Sequence, residues 1–451
     1  MIALVDRQAA GRPYRTMRHT PLIFAVPVLI AAVPAAAQEA PSPQRMRADV
    51  AKMVSFGTRH SASTTTDPKR GIGAARNWVE AEFKAIGKAC GGCITTERLA
   101  RSFTGPRAPN GVEIVDVLGI QKGTEPGRVV IVMGHLDSRN SDVMDASGEA
   151  PGANDDASGV ALAIEAARIL SKSKHRATII YAALSGEEQG LWGATLLAET
   201  AKARGWTVDA VLNNDIVGNT VGQDGRRVTD RVRVFSEGIR QVETIEEAKK
   251  RRGDGGEDDG PSRALAKAID AVAKGMPGAL DVFAVRRPDR FGRGGDHEAF
   301  LRLGYPAVRF TVGVENYDQQ HQNLRTENGR IYGDTIDKMD FDYAAKVTAI
   351  NVAVLRRLAD APSAPTGVSV DGALGVDSVL KWAAVPGATG YRIHWRRNDG
   401  QDWTDHADVG ADATAFTAKG VIVDDNFFGV SALAGGAESI VTFAGRAAPA
   451  R

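Results

Sequence analysis

Four short segments of the chain carry acidic or histidine side chains at the ends of apolar runs. GHLDS follows VVIVM and supplies His135 and Asp137. PGANDDASG supplies Asp155 and Asp156 at the start of a helical pattern. SGEEQG follows ATIIYAAL and supplies the adjacent pair Glu187 and Glu188. NNDIVG closes the run VDAVLN and supplies Asp215. Each has an ordinary explanation when taken singly. A histidine at a strand end is usually a satisfied polar group. An Asp pair before Ala-Ser-Gly suits a helix N-cap. Glutamates are seldom buried, so a Glu-Glu pair is normally surface. Together the four are harder to dismiss, because imidazole and carboxylate donors without thiolates are the ligand set of a hydrolytic zinc site.

Such donors need elements that bring them together. Strand-like runs are predicted over VEIVDVLGI, GRVVIVMGHLDS, ATIIYAALSG, VDAVLNNDIVG and YPAVRFTVG. Helical spacing of apolar residues marks GIGAARNWVEAEFKAIG, ASGVALAIEAARILSKS, LWGATLLAETAKARG and FDYAAKVTAINVAVLRRLADA, with a further helix around Met46 to Ser55. Strands alternating with helices argue for an α/β domain with a mostly parallel, mixed central sheet flanked by helices. Ligands bind outside the carboxyl ends of the strands in such sheets, so the four segments converge on one edge if the sheet is parallel. The stretch Glu237 to Gly260, with EEAKKRRGDGGEDDG, is dense in charge and glycine and is expected to be an exposed, partly mobile excursion.

At the N-terminus, Arg15 and Arg18 precede LIFAVPVLIAAVPAAA, which ends in small residues at Ala35 to Ala37. That is the pattern of a signal peptide. Pro27 and Pro34 interrupt the run, and it is short for a membrane span. Residues 1–37 are therefore expected to be removed, whether translation starts at Met1 or Met17, and the mature chain to be exported to the periplasm or secreted. Residues 38–44 are expected to form a disordered leader, 45–360 the α/β domain, 361–365 (APSAP) a linker and 366–448 a small all-β module. No second apolar segment is long enough to hold the mature chain in a membrane. With 56 Lys and Arg against 55 Asp and Glu, nothing points to a nucleic-acid partner. The two cysteines, Cys90 and Cys93 in ACGGC, favour a small-loop disulfide over a zinc ribbon, which lacks partners, or a thioredoxin-type site, which wants a helix N-terminus.

Beyond APSAP the pattern changes to short β-like runs with turn signals. Trp382 before a Pro-Gly turn, then Tyr391-Arg-Ile-His-Trp, resembles the B and C strands of a fibronectin type III sandwich. Val430-Ser-Ala and Gly436-Ala-Glu-Ser resemble its F–G hairpin. Such a module is expected to contact substrate or a cell surface, or to serve as a spacer.

GHLDS, PGANDDASG, SGEEQGLWGA and the Asp of NNDIVGN, in this order, resemble the exported di-zinc aminopeptidases. That group also contains aminopeptidase Y, glutamate carboxypeptidase and the transferrin receptor ectodomain. The resemblance covers the region from Asp49 to Leu358. It implies the zinc exopeptidase fold and two zinc ions about 3.5–4 Å apart. Carried over residue by residue, Asp155 would bridge them, with His135 and Asp215 completing one site. Glu188 and His321, in NYDQQHQNLRT, would complete the other. His297 in RGGDHEAF is the competitor for the last place, and in the family such a residue lines the pocket. Glu187 would be the general base acting on a metal-bridged water or hydroxide, and Asp137 would accept a hydrogen bond from His135. The implied activity is removal of N-terminal residues from peptides. Alternatives are a glutaminyl cyclase, a carboxypeptidase gripping a substrate carboxylate through Arg287, Arg290, Arg293 or Arg325, and a non-catalytic binding protein. The complete ligand set speaks against the last.

Overall fold

The computed structural model describes residues 39–447, so the expected signal peptide lies outside the described residues. Helices α1 (Pro43–Val54) and α2 (Gly71–Ala89) lead into strands β1 (Ile94–Gly105), β2 (Ala108–Gln121) and β3 (Glu125–His135). There follow α3 (Ala157–Leu170), β4 (Ala177–Leu184), the single turn α4 (Glu187–Gly190), α5 (Trp192–Ala203), β5 (Thr207–Asn214) and β6 (Arg231–Phe235). Next come α6 (Ile245–Asp254), α7 (Pro261–Lys274), β7 (Asp281–Val285), α8 (His297–Leu301) and β8 (Ala307–Val312). A hairpin of β9 (Arg325–Glu327) and β10 (Arg330–Tyr332) precedes the long α9 (Phe341–Asp360).

Eight of these strands form one sheet in the order β1-β2-β4-β3-β5-β8-β6-β7. Its centre, β4-β3-β5-β8, is parallel throughout. Antiparallel pairs at β1-β2, β2-β4 and β8-β6 make the whole sheet mixed. The unbroken apolar run of β4 has a simple cause: all eight of its residues are buried, because both faces of the sheet are covered. Alternate residues serve opposite faces. Val130 and Val132 of β3 pack with α1, α2, α3, α7 and α9, whereas Val129, Ile131 and Met133 pack with α5 and α8. Each fully buried aliphatic side chain contributes about 1.5–3 kcal/mol, so this double cover holds these strands at the middle of the sheet. The four parallel strands end at His135, Leu184, Asn214 and Val312, and all the loops that follow them open on one edge.

Two expectations about order differ from the structure. Helix α1 begins at Pro43, inside the segment expected to be a disordered leader. Ser42 caps it through its side chain, accepting the N–H of Arg45 at 3.2 Å, and its own N–H donates to the buried Glu165 at 2.8 Å. The charged stretch Glu237 to Gly260 is exposed but regular. Thr244 and Glu247 form a capping box that starts α6, and Gly255 ends it at φ 73°. A Cβ on Gly255 would fall 2.9 Å from the ring of Phe427, so the glycine also admits an aromatic ring from the C-terminal module.

That module contains β11 (Ser369–Asp371), β12 (Ser378–Lys381), β13 (Gly390–Arg397), β14 (Asp405–Gly410), β15 (Ala415–Ala418), β16 (Asn426–Ala434), β17 (Ala437–Glu438), β18 (Thr442–Phe443) and β19 (Gly445–Arg446). The sheets β15-β12-β11-β19 and β14-β13-β16-β17, with β18 on β16, bury one shared core of Val370, Leu380, Trp382, Tyr391, Phe428 and Val430. Polar contacts tie the module to the α/β part: Arg396 to Asp259 at 2.7 Å, Arg357 to Glu438 at 3.2 Å, and Arg176 to the carbonyl of Gly387 at 3.1 Å. Ala361 and Pro365 of the APSAP segment are buried. Cys90 and Cys93 form a disulfide. No helix among the described residues is long and apolar enough to cross a membrane.

Candidate metal centre

His135 is the last residue of β3, and its backbone N–H is accepted by Asp156 at 3.0 Å. Its Nδ1 lies 3.0 Å from the backbone carbonyl oxygen of Asp137. Donation to that carbonyl leaves Nε2 with the lone pair. The hydrogen bond expected from His135 to Asp137 is thus made to the main chain, and the nearest oxygen of the Asp137 carboxylate stands 3.7 Å away. That carboxylate instead accepts the backbone N–H groups of Glu187 at 3.3 Å and Glu188 at 3.2 Å. Asp137 therefore orients His135 with its main chain and the glutamate pair with its side chain.

The two aspartates before α3 divide their work. Asp156 caps the helix, accepting the N–H of Gly159 at 2.8 Å, and reaches the N–H of Ile216 at 3.4 Å. It thereby joins the loops after β3 and β5 to the start of α3. Asp155 is free to face the cleft. Its N–H is held by the buried Asp334 at 2.7 Å, which also accepts the N–H of Asn154 at 2.9 Å. Burial pushes the Asp334 carboxyl up to about 7, with backbone hydrogen bonds opposing.

Glu187 and Glu188 occupy α4, one turn set between the left-handed residues Gly186 (φ 78°) and Leu191 (φ 58°). Gly186 suits its place, since a Cβ there would lie 2.7 Å from the side chain of Ile114. His321 lies on the loop after β8, itself left-handed at φ 53°. Its Nε2 is 3.0 Å from one oxygen of Asp155 and 2.9 Å from Glu188. The other oxygen of Asp155 is 3.1 Å from His135 Nε2, and Asp215 is 3.9 Å from that same nitrogen. The Asp155 carboxylate thus lies between two imidazoles, one at each oxygen.

Donor atoms fall into two groups, His135 with Glu187 and Asp215, and Asp155 with Glu188 and His321, each within 4.8 Å of one another. The structure brings together His135, Asp137, Asp155, Glu187, Glu188, Asp215 and His321. His297 stays out: its Nε2 bonds the carbonyl of Pro288 at 2.7 Å. Sequence reasoning missed Asp334, which holds the Asp155 backbone, and Arg139, which reaches Glu188 at 2.7 Å and His321 Nδ1 at 2.6 Å. Asp296, of the Asp-His pair that the resemblance puts in the pocket lining, is buried with neither carboxylate oxygen hydrogen-bonded. No apolar periodicity or motif marks Asp334 or Arg139; only the fold brings them to the centre.

These residues suit divalent cations. His135 Nε2 and Glu188 Oε1 are buried without a hydrogen-bond partner, although Asp155 and His321 respectively stand close by. Burial, and after it the charges of Glu188, Asp215 and Asp155, hold the Glu187 carboxyl well above the usual range, with His135 opposing. Burial disfavours a charged His321, yet Glu188 and Asp155 outweigh it and raise the imidazole to about 10. A cluster that draws in protons this strongly is one whose negative charge cations can neutralise instead. The cleft above it has a volume of about 880 Å³.

Residues 116–355 match the sequence profile of Peptidase family M28. A probable zinc metalloprotease of Leptosphaeria maculans is 44% identical over 376 residues, covering 82% of this chain and 87% of that protein. Another, from Pyrenophora tritici-repentis, is 41% identical over 401 residues, covering 87% of this chain and 82% of that protein. Both alignments run well beyond the family match. Among solved structures, a leucine aminopeptidase precursor from Bacteroides thetaiotaomicron superposes with a TM-score of 0.50 at 15% identity, over 71% of this chain and 98% of that chain, which is a likeness of fold. The family match spans every donor residue of the centre, and the chain belongs to peptidase family M28.

Proposed function

We propose that the protein is an exported zinc-dependent aminopeptidase that removes N-terminal residues from peptides, with Glu187 as general base. The observation that carries this is the Asp155 carboxylate set between His135 and His321 at 3.1 and 3.0 Å, the disposition of a carboxylate shared by two cations. His135, Asp155 and Asp215 would hold one zinc ion, and Asp155, Glu188 and His321 the other. Zinc in such a site supplies a Lewis acid for a substrate carbonyl and makes water more acidic. Glu187 stands beside His135 and Asp215 on a turn fixed by Asp137. There it would take a proton from the attacking water and return it to the leaving amine. The carboxylate floor of the cleft favours the α-ammonium group at a peptide's N-terminus. The signal-like N-terminus supports action outside the cytoplasm. The two-sheet C-terminal module, with the Trp382 and Tyr391 rings 5.3 Å apart, is read as fibronectin type III-like.

A peptide-library digest read by mass spectrometry, with and without chelator, tests this function. Stepwise loss of N-terminal residues that chelator abolishes is the expected result. Trimming from the carboxyl end would make the enzyme a carboxypeptidase, and pyroglutamate formation without hydrolysis would make it a cyclase.

A further inference from the structure

We infer that the buried Arg309 draws charge away from Asp215, so that one zinc ion is held less tightly and stays more electrophilic; the gain in reactivity rests on the aminopeptidase reading above, the effect on the ion does not. Arg309 is the sole charged residue of β8, AVRFTV, whose six residues are all buried. Its side chain is fully enclosed, its Nε has no acceptor, and it does not line the cleft. It therefore meets no substrate. A guanidinium kept inside a sheet with one donor unused is destabilising unless its charge has work to do nearby.

The guanidinium is aimed at the metal centre. Its Nη2 donates to Asp215 Oδ1 at 2.9 Å, the same oxygen that lies 3.9 Å from His135 Nε2. Its Nη1 donates to the carbonyl of Gly294 at 2.9 Å and faces Asp289 at 3.3 Å. Gly295 makes the room, since a Cβ there would fall 2.8 Å from Nη1. Asp289 already has Arg290 at 2.9 Å, whereas Asp215 has no other guanidinium among the described ion pairs.

Placing Asp215 does not need this contact. The N–H of Asp215 donates to the carbonyl of Phe310 at 3.2 Å. The next residue is held on both sides: the N–H of Ile216 donates to Asp156 at 3.4 Å, and its carbonyl accepts the N–H of Val312 at 2.9 Å. Arg309 touches the main chain there only through the Asp215 carbonyl, at 3.4 Å. The loop is thus built by β8 and Asp156, and what Arg309 adds is a positive charge on a ligand oxygen. Burial leaves little water to screen that charge from a cation on the same carboxylate. A carboxylate that shares its charge with a guanidinium donates less to a zinc ion, which leaves the ion more weakly held and a stronger Lewis acid.

Zinc affinity of the full chain, measured by competition with a chromogenic chelator, reads this without any substrate. Arg309→Met removes the charge and keeps most of the length. One zinc ion is expected to bind about tenfold tighter, the usual size for an outer partner of a metal ligand but opposite in sign to the loss of a structural support. Asp289→Asn leaves the Arg309 charge less compensated, so zinc is expected to bind about threefold more weakly. At saturating zinc, kcat on a peptide that wild type cleaves is expected to fall in Arg309→Met and to be maintained in Asp289→Asn, against the direction of the zinc affinity in each. Weaker or unchanged zinc binding in folded Arg309→Met overturns the inference. If that variant does not fold, Asp289→Asn decides: weaker zinc with kcat maintained supports the inference, whereas an unchanged affinity, or affinity and kcat falling together, overturns it. If wild type removes no N-terminal residue from any peptide, the aminopeptidase reading fails, and the zinc affinities still decide the role of Arg309.

Discussion

The carboxylate of Asp137 accepts the backbone N–H of Glu188 at 3.2 Å. It takes the N–H of Glu187 as well, and its main-chain carbonyl faces His135 Nδ1, so one residue fixes donors from both halves of the centre. Asp137→Ala leaves those two N–H groups without their acceptor and frees the turn that carries both glutamates. Zinc affinity is expected to fall by roughly 10–100-fold, the usual effect of losing an outer partner of a metal ligand. Asp137→Asn keeps an acceptor oxygen and is expected to lose less. Competition with a chromogenic chelator measures both, and equal losses would mean that the carboxylate's charge, not its hydrogen bonds, is what matters.

The module boundary gives a second test. Arg396 and Asp259 are both buried, 2.7 Å apart, with the guanidinium 4.3 Å from the Trp403 ring and 4.9 Å from the Phe427 ring. Removing one member of a buried pair strands the other charge, at a cost of about 3–5 kcal/mol. Arg396→Ala also strips two ring contacts, so it is expected to reach that range in denaturant unfolding. Asp259→Asn is expected to cost at least as much, because it leaves the buried Arg396 without its carboxylate, whereas Arg396→Ala leaves Asp259 with Lys267 at 2.8 Å. A loss below about 1 kcal/mol for Arg396→Ala would show that the contact between the modules contributes little.

Acid should loosen the same boundary at a different point. Glu438 accepts hydrogen bonds from Ser431 at 2.7 Å and lies 2.9 Å from His394 and 3.2 Å from Arg357 of α9. Burial alone would raise its pKa, but His394 and Arg357 outweigh it and bring the carboxyl down to about 2. A carboxyl depressed on folding stabilises the folded state above its ordinary pKa of about 4.3, and that contribution fades as pH falls toward about 2. The difference in melting temperature between wild type and Glu438→Gln is therefore expected to be greatest above pH 5 and to shrink steadily on acidification. A difference that grows at low pH would contradict this sign.

Much of the centre could be read from the sequence because its donors follow apolar runs that become β3, β4 and β5. Continuous burial marked those strands as the covered centre of the sheet, and the side chains at their exits had to meet. His321 was reachable through the family resemblance, since its loop carries no periodic signal. Arg290 and Arg293 were named from the sequence and line the cleft, whereas Asp334 and the other cleft arginines, Arg139 and Arg107, were not legible. They lie on loops whose positions depend on long-range packing, and an isolated Asp or Arg in a loop looks like any surface residue. The role of Asp137 was half legible: the sequence placed it beside His135, but which of its oxygens would face the ring depended on backbone geometry. The charged stretch before α7 was misjudged for a related reason. Its glycines suggested mobility, whereas Gly255 makes room for Phe427.

The division of labour between Glu187 and Glu188 is the central claim, and the grouping of Glu187 with His135 and Asp215 within 4.8 Å is what most directly challenges it. Zinc content per chain, measured together with turnover for wild type, Glu187→Gln and Glu188→Gln, decides between them. Wild type is expected to hold two ions. Glu187→Gln should also hold two while kcat falls by about 10²–10⁴-fold, the scale of a lost general base, and Glu188→Gln should lose an ion. A Glu187→Gln protein that sheds zinc as Glu188→Gln does, or that keeps both ions and near-normal turnover, would contradict the account.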